Sequence, residues 1–381
     1  MSDPHSEPTL DPPLTEVEAW LYEHAAPERL DSGRAIYELM PSQSNRQLSF
    51  VYRPYSATSE AHWSDAARIA DYAAAVPEGA SRVLDIGPGD GWPSLPLAAV
   101  RPEIDVIGVD PSPLRTRVSS GNAARLEIAN ARFATADGAR LPFVDGTFDA
   151  VVAASSLEEA AEPSVLFSEI ARVLRPGGVL RVSYQNWTLE TPQFETVQLW
   201  AGRDAVGRGH GGSGEGGVGQ GATGRGEPVL LYTYSRRVRE PAVERRYTLV
   251  LPASEAAKRI HDDALMTAAQ APRAYGETLL EGPWAALGVP LLKHLAPLAL
   301  RSTVVELRRW TTGWLIESLR AAGFADVRGT AHPGELARHV ARDLLANAGV
   351  DAVAARFEQE AAAIGRSALE QAGDEMVVAV R

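Results

Sequence analysis

Residues 82–184 predict an α/β fold, a parallel sheet with helices on both faces. Three observations carry that expectation. Short apolar runs alternate with helix-patterned stretches throughout the segment. The first run, Arg82 to Ile86, passes directly into a glycine-rich turn. Hydrophobic residues make up 45% and charged residues 23% of the 381, enough apolar material for a sizeable core. That length predicts two domains, or one large domain with insertions.

The elements follow in order. Residues 1 to about 15 read as a tail, and Glu16 to Met40 as helical material of mixed quality. Pro41 to Pro54 is irregular and Pro-bounded, with Arg46, Phe50, Tyr52 and the adjoining Tyr55. A helix is expected over Glu60 to Ala75, where Trp63, Ala66, Ala67, Ala70, Ala73 and Ala74 form one apolar face. Arg82–Ile86, Asp105–Val109, Ala131–Ala136, Phe148–Ala153 and Val179–Tyr184 read as five strands. Trp92–Val100, Leu114–Asn130 and Pro163–Leu174 read as the helices between them, the last stopped by Pro176-Gly177-Gly178.

The alternation then breaks. Gly207 to Gly226 holds eleven of the 33 glycines and cannot bury a face, so it reads as a flexible loop. Val229–Tyr234 and Tyr247–Leu251 are strand-like and flank an Arg-rich connection, as in a hairpin. Glu255–Ala271 and Pro283–Leu300 look helical. The α/β grammar returns at the end. Trp310–Ala322 is a helix ended by Gly323, and Ala325–Thr330 a strand. Gly334–Ala372 is mainly helical with breaks expected at Gly349 and Gly365, and Glu375–Val380 is a final strand.

Charge and composition exclude several function classes. Lys+Arg number 37 against 49 Asp+Glu, an excess of acid that argues against nucleic acid or anionic membranes as partners. The absence of cysteine removes disulfides, thiolate metal sites and a thiolate nucleophile. No metal-ligand set is read. The most apolar stretch, Gly288 to Leu300, is interrupted by Lys293, His294 and two prolines, and falls short of the ~20 apolar residues of a membrane helix. Residues 1–13 lack a basic and an apolar signal region. A soluble, cytoplasmic protein is expected.

The strongest motif is Val83-Leu84-Asp85-Ile86-Gly87-Pro88-Gly89-Asp90-Gly91. A buried strand ends in an acid and enters a glycine turn, behind which a helix offers unpaired N–H groups. A dinucleotide fingerprint would need glycine at position 92, where Trp92 stands.

This motif resembles the first motif of the class I S-adenosylmethionine (SAM)-dependent methyltransferases. Further segments agree in order: Val109-Asp110, then Asp137-Gly138-Ala139 followed by Leu141-Pro142-Phe143, then Phe148-Asp149-Ala150-Val151-Val152, then Leu174-Arg175-Pro176-Gly177-Gly178. Together they look most like the branch with small-molecule and quinone methyltransferases. The resemblance implies a Rossmann-like, mostly parallel seven-stranded sheet with an antiparallel last strand. It implies that SAM is bound and S-adenosylhomocysteine released. It places Asp85 at the methionine ammonium, Gly87, Gly89 and Gly91 in the turn around the cofactor, and Asp110 with Pro111 at the ribose hydroxyls. Asp137, Gly138 and Ala139 fall at the adenine, and Ser155 at the cofactor after the fourth strand.

Substrate chemistry is argued from position. His62, at the start of the helix before the first strand, is a candidate general base; a surface histidine is the alternative. Glu158 and Glu159 follow the fourth strand, on the edge where ligands of open α/β sheets sit, so Glu158 is a second candidate. Trp92 forms an aromatic wall near the methyl donor or packs on the sheet. Tyr52 and Tyr55 close over the pocket or pack within a lid. Arg236 and Arg237, in a cluster with Arg239, Arg245 and Arg246, attract an anionic substrate or pair with Glu240 and Glu244.

The expected layout is a tail and lid over residues 1–60, a SAM-binding core over 61–185, a cap with the Gly-rich loop over 186–302, and completion of the core sheet over 303–381. The expected activity is methyl transfer to a small-molecule acceptor on oxygen, nitrogen or carbon. The alternatives are a protein or RNA acceptor, and a non-catalytic SAM-binding scaffold.

Overall fold

A computed structural model describes residues 13–30, 39, 55–160, 162–188, 193–204, 227–239, 242–267, 273–274, 277–280 and 287–381. In chain order the elements are α1 (Glu16–Ala25), β1 (Glu28–Leu30), α2 (Glu60–Ala75), β2 (Arg82–Ile86), α3 (Ser94–Val100), β3 (Asp105–Asp110) and α4 (Pro113–Arg125). Then come β4 (Ala131–Thr135), β5 (Phe148–Ala154), α5 (Pro163–Val173), β6 (Leu174–Ser183), β7 (Phe194–Asp204), β8 (Glu227–Val238), β9 (Val243–Pro252) and α6 (Glu255–Thr267). They are followed by β10 (Arg273–Ala274), β11 (Glu277–Leu280), α7 (Val289–Leu295), β12 (Arg301–Arg308), α8 (Thr312–Ala321), β13 (Ala325–Thr330), α9 (Pro333–Asn347), α10 (Val350–Glu370) and β14 (Met376–Val380). The chain forms two compact units. One comprises Ser42–Trp187 and Arg309–Arg381, the other Met1–Pro41 and Thr188–Arg308.

The first unit holds a seven-stranded sheet in the order β13-β14-β6-β5-β2-β3-β4. β4, β3, β2, β5 and β6 run parallel, and β14 pairs antiparallel with both β6 and β13. Successive residues of the central strands serve opposite layers, as the two-residue period of a strand requires. Leu84, Ile86, Val151 and Ala153 pack with Phe167 and Leu315 on one face. Val83, Ala150 and Val152 pack with Tyr72 and Leu97 on the other. β3 lies on one side of β2 and β5 on the other, so the strand order reverses between β2 and β5. Open sheets of this kind bind ligands at that reversal, at the carboxyl ends of the strands.

Some sequence boundaries move. Trp92 and Pro93 stay in the turn and α3 begins at Ser94, while α4 ends at Arg125 rather than near Asn130. Gly349 does separate α9 from α10, but Gly365 lies inside α10 and breaks nothing. A Cβ at Gly365 would run into the Ala67 carbonyl oxygen, so glycine there lets α10 approach α2. Trp63 and Ala67 of α2, Ala337 and Ala341 of α9, and Val353 and Phe357 of α10 make the joint apolar cluster. Beneath it lies a fully buried ion pair, with Arg181 donating to both oxygens of Asp71 at 2.8 and 2.6 Å and to Thr330 Oγ1 at 2.7 Å. The chain leaves this unit after Trp187 and returns at Arg309; the Trp187 N–H donates to the Trp310 carbonyl at 2.8 Å.

The second unit is built on another seven-stranded sheet, β1-β12-β9-β8-β7-β11-β10. Its pairs are antiparallel except β1 with β12. Val17 and Leu21 of α1, Ala257 and Ala264 of α6, and Leu292 and Leu295 of α7 cluster with Tyr232, Tyr234 and Leu249. The expected hairpin is present but longer. Arg236, Arg237, Arg245 and Arg246 lie inside β8 and β9 rather than in a connection, because acidic partners satisfy them there. Residues 303–308, expected in the core sheet, belong to β12 and pair with β9. Residues 28–30 form β1 in this sheet, not helical material. The helix expected over 283–300 is reduced to α7 and a short 3₁₀ turn at Ala296–Leu298. The Gly-rich run 207–226, Glu240 and Tyr52 lie outside the described residues. Among the described residues, no helix is long and apolar enough to cross a membrane.

Candidate active site

The site grows from the end of β2. Gly87, Gly89 and Gly91 all take positive φ (74°, 55° and 118°), so the turn needs glycine. A Cβ at Gly87 would lie 2.5 Å from Ser156 Cβ, and the Gly87 N–H donates to the Val109 carbonyl at 2.8 Å. The turn is therefore clamped between the ends of β3 and β5.

Asp85 is fully buried behind the turn. Its Oδ2 accepts from the Ser94 N–H at 3.0 Å and the Ser94 hydroxyl at 2.5 Å. Its Oδ1 is buried with no hydrogen-bond partner. Burial pushes this carboxyl up to about 8, against the two Ser94 bonds that favour its charged form. A buried carboxylate oxygen left unanswered costs stability, and a cationic ligand group would answer it.

Asp110 ends β3. Its Oδ1 accepts from the Ser112 N–H at 2.8 Å and its Oδ2 from the Gly89 N–H at 3.1 Å. Each oxygen keeps a further lone pair, the arrangement that two adjacent hydroxyls need. Burial raises its pKa, and the two backbone bonds oppose the rise. Pro111 starts the turn into α4. Behind this edge, Arg115 donates to Asp90 at 3.0 Å in a buried pair, and the Asn122 side chain donates to the Asp90 carbonyl at 2.8 Å. Sequence reading missed this brace, although Arg115 and Asn122 stand seven residues apart on one helix face.

Asp137 follows β4 and is exposed. Its Oδ1 accepts from the Ala139 N–H at 2.9 Å and its carbonyl from the Arg140 N–H at 3.0 Å, closing a tight turn. Gly138 in that turn sits against Leu166 and Ile86. Ser155, with φ 51°, donates its N–H to the Ser183 carbonyl at 2.8 Å, and the Ser156 hydroxyl donates to the Ile86 carbonyl at 2.5 Å. The expected cofactor residues thus lie along one edge, at the carboxyl ends of β2, β3, β4 and β5. An adenosyl group with an attached amino acid fits this donor set: a carboxylate with open lone pairs for a ribose and a buried orphan oxygen for an ammonium.

The substrate candidates divide. Glu158 sits in a 3₁₀ turn at Leu157–Glu159, just beyond β5. Its Oε1 accepts from the Gln185 N–H at 3.1 Å, and its Oε2 is buried without a partner. Burial raises its pKa, while Arg309 pulls the other way. Glu159 stands 3.7 Å from the Arg309 guanidinium. His62 lies in the first turn of α2, and its Nδ1 accepts from the Ser56 N–H at 2.7 Å. A neutral imidazole with Nδ1 so engaged carries its proton on Nε2, and has no lone pair there to take another. Tyr55 packs beside His62, ring centroids 5.6 Å apart. Trp92 lies under the Arg68 guanidinium, 5.0 Å from ring centroid to Cζ. Arg236 and Arg237 belong to the second unit. Arg236 donates to Glu18 at 2.5 Å and to the Pro13 carbonyl at 2.6 Å, and Arg237 stands 3.7 Å from Glu244.

Residues 84–182 match a methyltransferase domain family. An uncharacterized methyltransferase from Mycobacterium sp. (strain JLS) is 36% identical over 125 residues, 32% of this chain and 47% of that protein. A demethylmenaquinone methyltransferase from Deinococcus radiodurans is 32% identical over 155 residues, 40% of this chain and 61% of that protein. A solved SAM-dependent methyltransferase from Methanosarcina mazei is 27% identical with a TM-score of 0.28, over 30% of this chain and 56% of its own. The chain thus spans about half the length of the curated relatives it matches. Family match, sheet order and donor set agree, and residues 84–182 carry a methyltransferase domain of the class I SAM-dependent kind, with SAM as its cofactor.

Proposed function

We propose that the whole protein is an enzyme that moves a methyl group from SAM to a small-molecule acceptor by in-line displacement. The observation that carries the reading is the orphaned, fully buried Asp85 Oδ1 beside the glycine turn, at the point where the strand order reverses. The acidic balance of the chain favours a small acceptor over RNA. The name of the Deinococcus relative favours a small ring acceptor as well.

The bound cofactor supplies an electrophilic methyl on a sulfonium. The chain has to hold the acceptor in line with that methyl and keep water out. Glu158 is the proposed proton acceptor. With the cofactor bound, Glu158 would take up at Oε2 the proton that the acceptor gives up as it is methylated. His62 is not given that role, because its available tautomer cannot take the proton at Nε2.

The test is calorimetric titration with SAM and with S-adenosylhomocysteine, beside Asp110→Ala. Expected affinities are micromolar, about 8 kcal/mol, with most of that lost in the variant. Binding of neither ligand to the wild type overturns the reading. Tight binding without methyl turnover on phenol, amine and quinol panels favours the scaffold alternative.

A further inference from the structure

The acids expected at the cofactor, Asp85, Asp110 and Asp137, follow β2, β3 and β4, while β5 and β6 lie on the other side of the strand reversal. β5 and β6 run parallel with Ala154 beside Ser183, so the chain leaves both strands at adjoining points. Two buried oxygens stand unanswered there. Beyond β5, Glu158 turns back against the exit of β6, where its Oε1 accepts from the Gln185 N–H at 3.1 Å. Its Oε2 has no hydrogen-bond partner, and neither has Oδ1 of Asn186, the next residue after Gln185. Both oxygens are acceptors, so neither answers the other. The Arg309 guanidinium stands 3.7 Å from Glu159 and leaves both oxygens without a donor.

The backbone around Asn186 is pinned on both sides. Gln185 is tied to Glu158 on one side. On the other, Asn186 bridges to Trp310 in parallel register, and the Trp187 N–H donates to the Trp310 carbonyl at 2.8 Å. The amide oxygen is thus held in place yet bonds to nothing in the fold. A buried acceptor without a donor costs stability. Two of them at neighbouring strand ends call for a ligand that brings two donors.

A lone hydroxyl would answer one oxygen and leave the other bare. Neighbouring strands lie about 4.8 Å apart, and donors on adjacent carbon atoms, one bonded to each oxygen, bridge such a spacing. We propose that Asn186 is a specificity-determining residue and that the acceptor carries a hydroxyl with a second hydroxyl or an amino group on the adjacent carbon. The first donates to Glu158 Oε2, and the second to Asn186 Oδ1. The proposal rests on the methyltransferase reading and on the role given there to Glu158.

Initial rates of methyl transfer from labelled SAM are measured on catechol and on 2-aminophenol, each against phenol, for the wild type, Asn186→Ala and Asn186→Asp. The wild type is expected to use at least one of the paired-donor acceptors with kcat/KM tenfold or more above phenol. Which of the two it prefers tells a hydroxyl from an amino group as the second donor. Asn186→Ala is expected to remove the preference by slowing only the paired-donor acceptors, with S-adenosylhomocysteine affinity within twofold of wild type. Asn186→Asp, which keeps an acceptor oxygen, is expected to retain part of it. Equal use of phenol and the paired-donor acceptors by the wild type overturns the proposal, and so does turnover of none of them. So does an equal loss on all three in Asn186→Ala, which marks a residue that only shapes the strand exit. A wild type that binds neither SAM nor S-adenosylhomocysteine fails the methyltransferase reading itself, a result distinct from these.

Discussion

Glu18 in the antiparallel unit and Asp85 in the methyltransferase unit are both fully buried carboxylates, and they are held in opposite ways. Glu18 is answered on both oxygens. Oε2 accepts from the Thr15 N–H at 2.9 Å and Arg236 at 2.5 Å; Oε1 accepts from the Tyr247 hydroxyl at 3.2 Å, with Arg245 at 3.6 Å. Asp85 has one oxygen doubly bonded and the other bare. A saturated buried acid is spent on holding its own fold. A half-saturated one stores unmet demand that a ligand can satisfy. Glu158 is of the second kind.

The contrast can be broken in three places, from the largest expected effect to the smallest. Glu18→Ala leaves Arg236 and Arg245 without their shared acid and should cost about 3–5 kcal/mol. Denaturant unfolding measures it, and a loss under 1 kcal/mol would place Glu18 outside the structural class. Glu158→Gln should slow methyl transfer by at least about 100-fold, roughly 2.7 kcal/mol of barrier, with SAM affinity unchanged. An equal fall in affinity would show that Glu158 only supports the edge through Gln185.

Asp85→Asn should stabilise the fold at neutral pH, because the buried wild-type carboxyl has to take up a proton on folding there and the amide does not. The pH dependence gives the sign. Asp85 titrates near 3.8 when unfolded and near 8 when folded. Between these values the folded state binds the extra proton, so this group's stabilisation is complete below the lower value and is lost as pH rises through the upper one. The slope reaches about 1.4 kcal/mol per pH unit, and Asp85→Asn should flatten it. A bound ammonium favours the charged carboxylate, so SAM binding at pH 7 should release a proton. Titration in buffers of different ionisation enthalpy detects that release, and its persistence in Asp85→Asn would assign the proton to another group.

What the sequence made legible was local. The β2 strand, the glycine turn and the acids at 85, 110 and 137 lie within short windows whose order alone is informative. The antiparallel unit was not legible in that way. β12 pairs with β9 across some fifty residues of sequence, and β1 pairs with β12 from the other end of the chain. Pairing of that range leaves no periodic mark. The arginines of β8 and β9 hid the strand pattern, since their partners Glu18 and Glu306 are distant in sequence. Gly365 looked like a break because the sequence does not show that Ala67 comes up against it.

The hydrogen bond from the Trp187 N–H to the Trp310 carbonyl joins the two points where the chain leaves and re-enters the methyltransferase unit. To the parallel sheet, the whole excursion of residues 188–308 is a loop whose ends are already tied. Loop-closure entropy grows only with the logarithm of loop length. Sequence drift, lengthening or replacement within the excursion therefore changes little of what the parent sheet must achieve to fold. Such a junction lets one catalytic chassis carry different attachments over evolutionary time while its cofactor edge stays fixed.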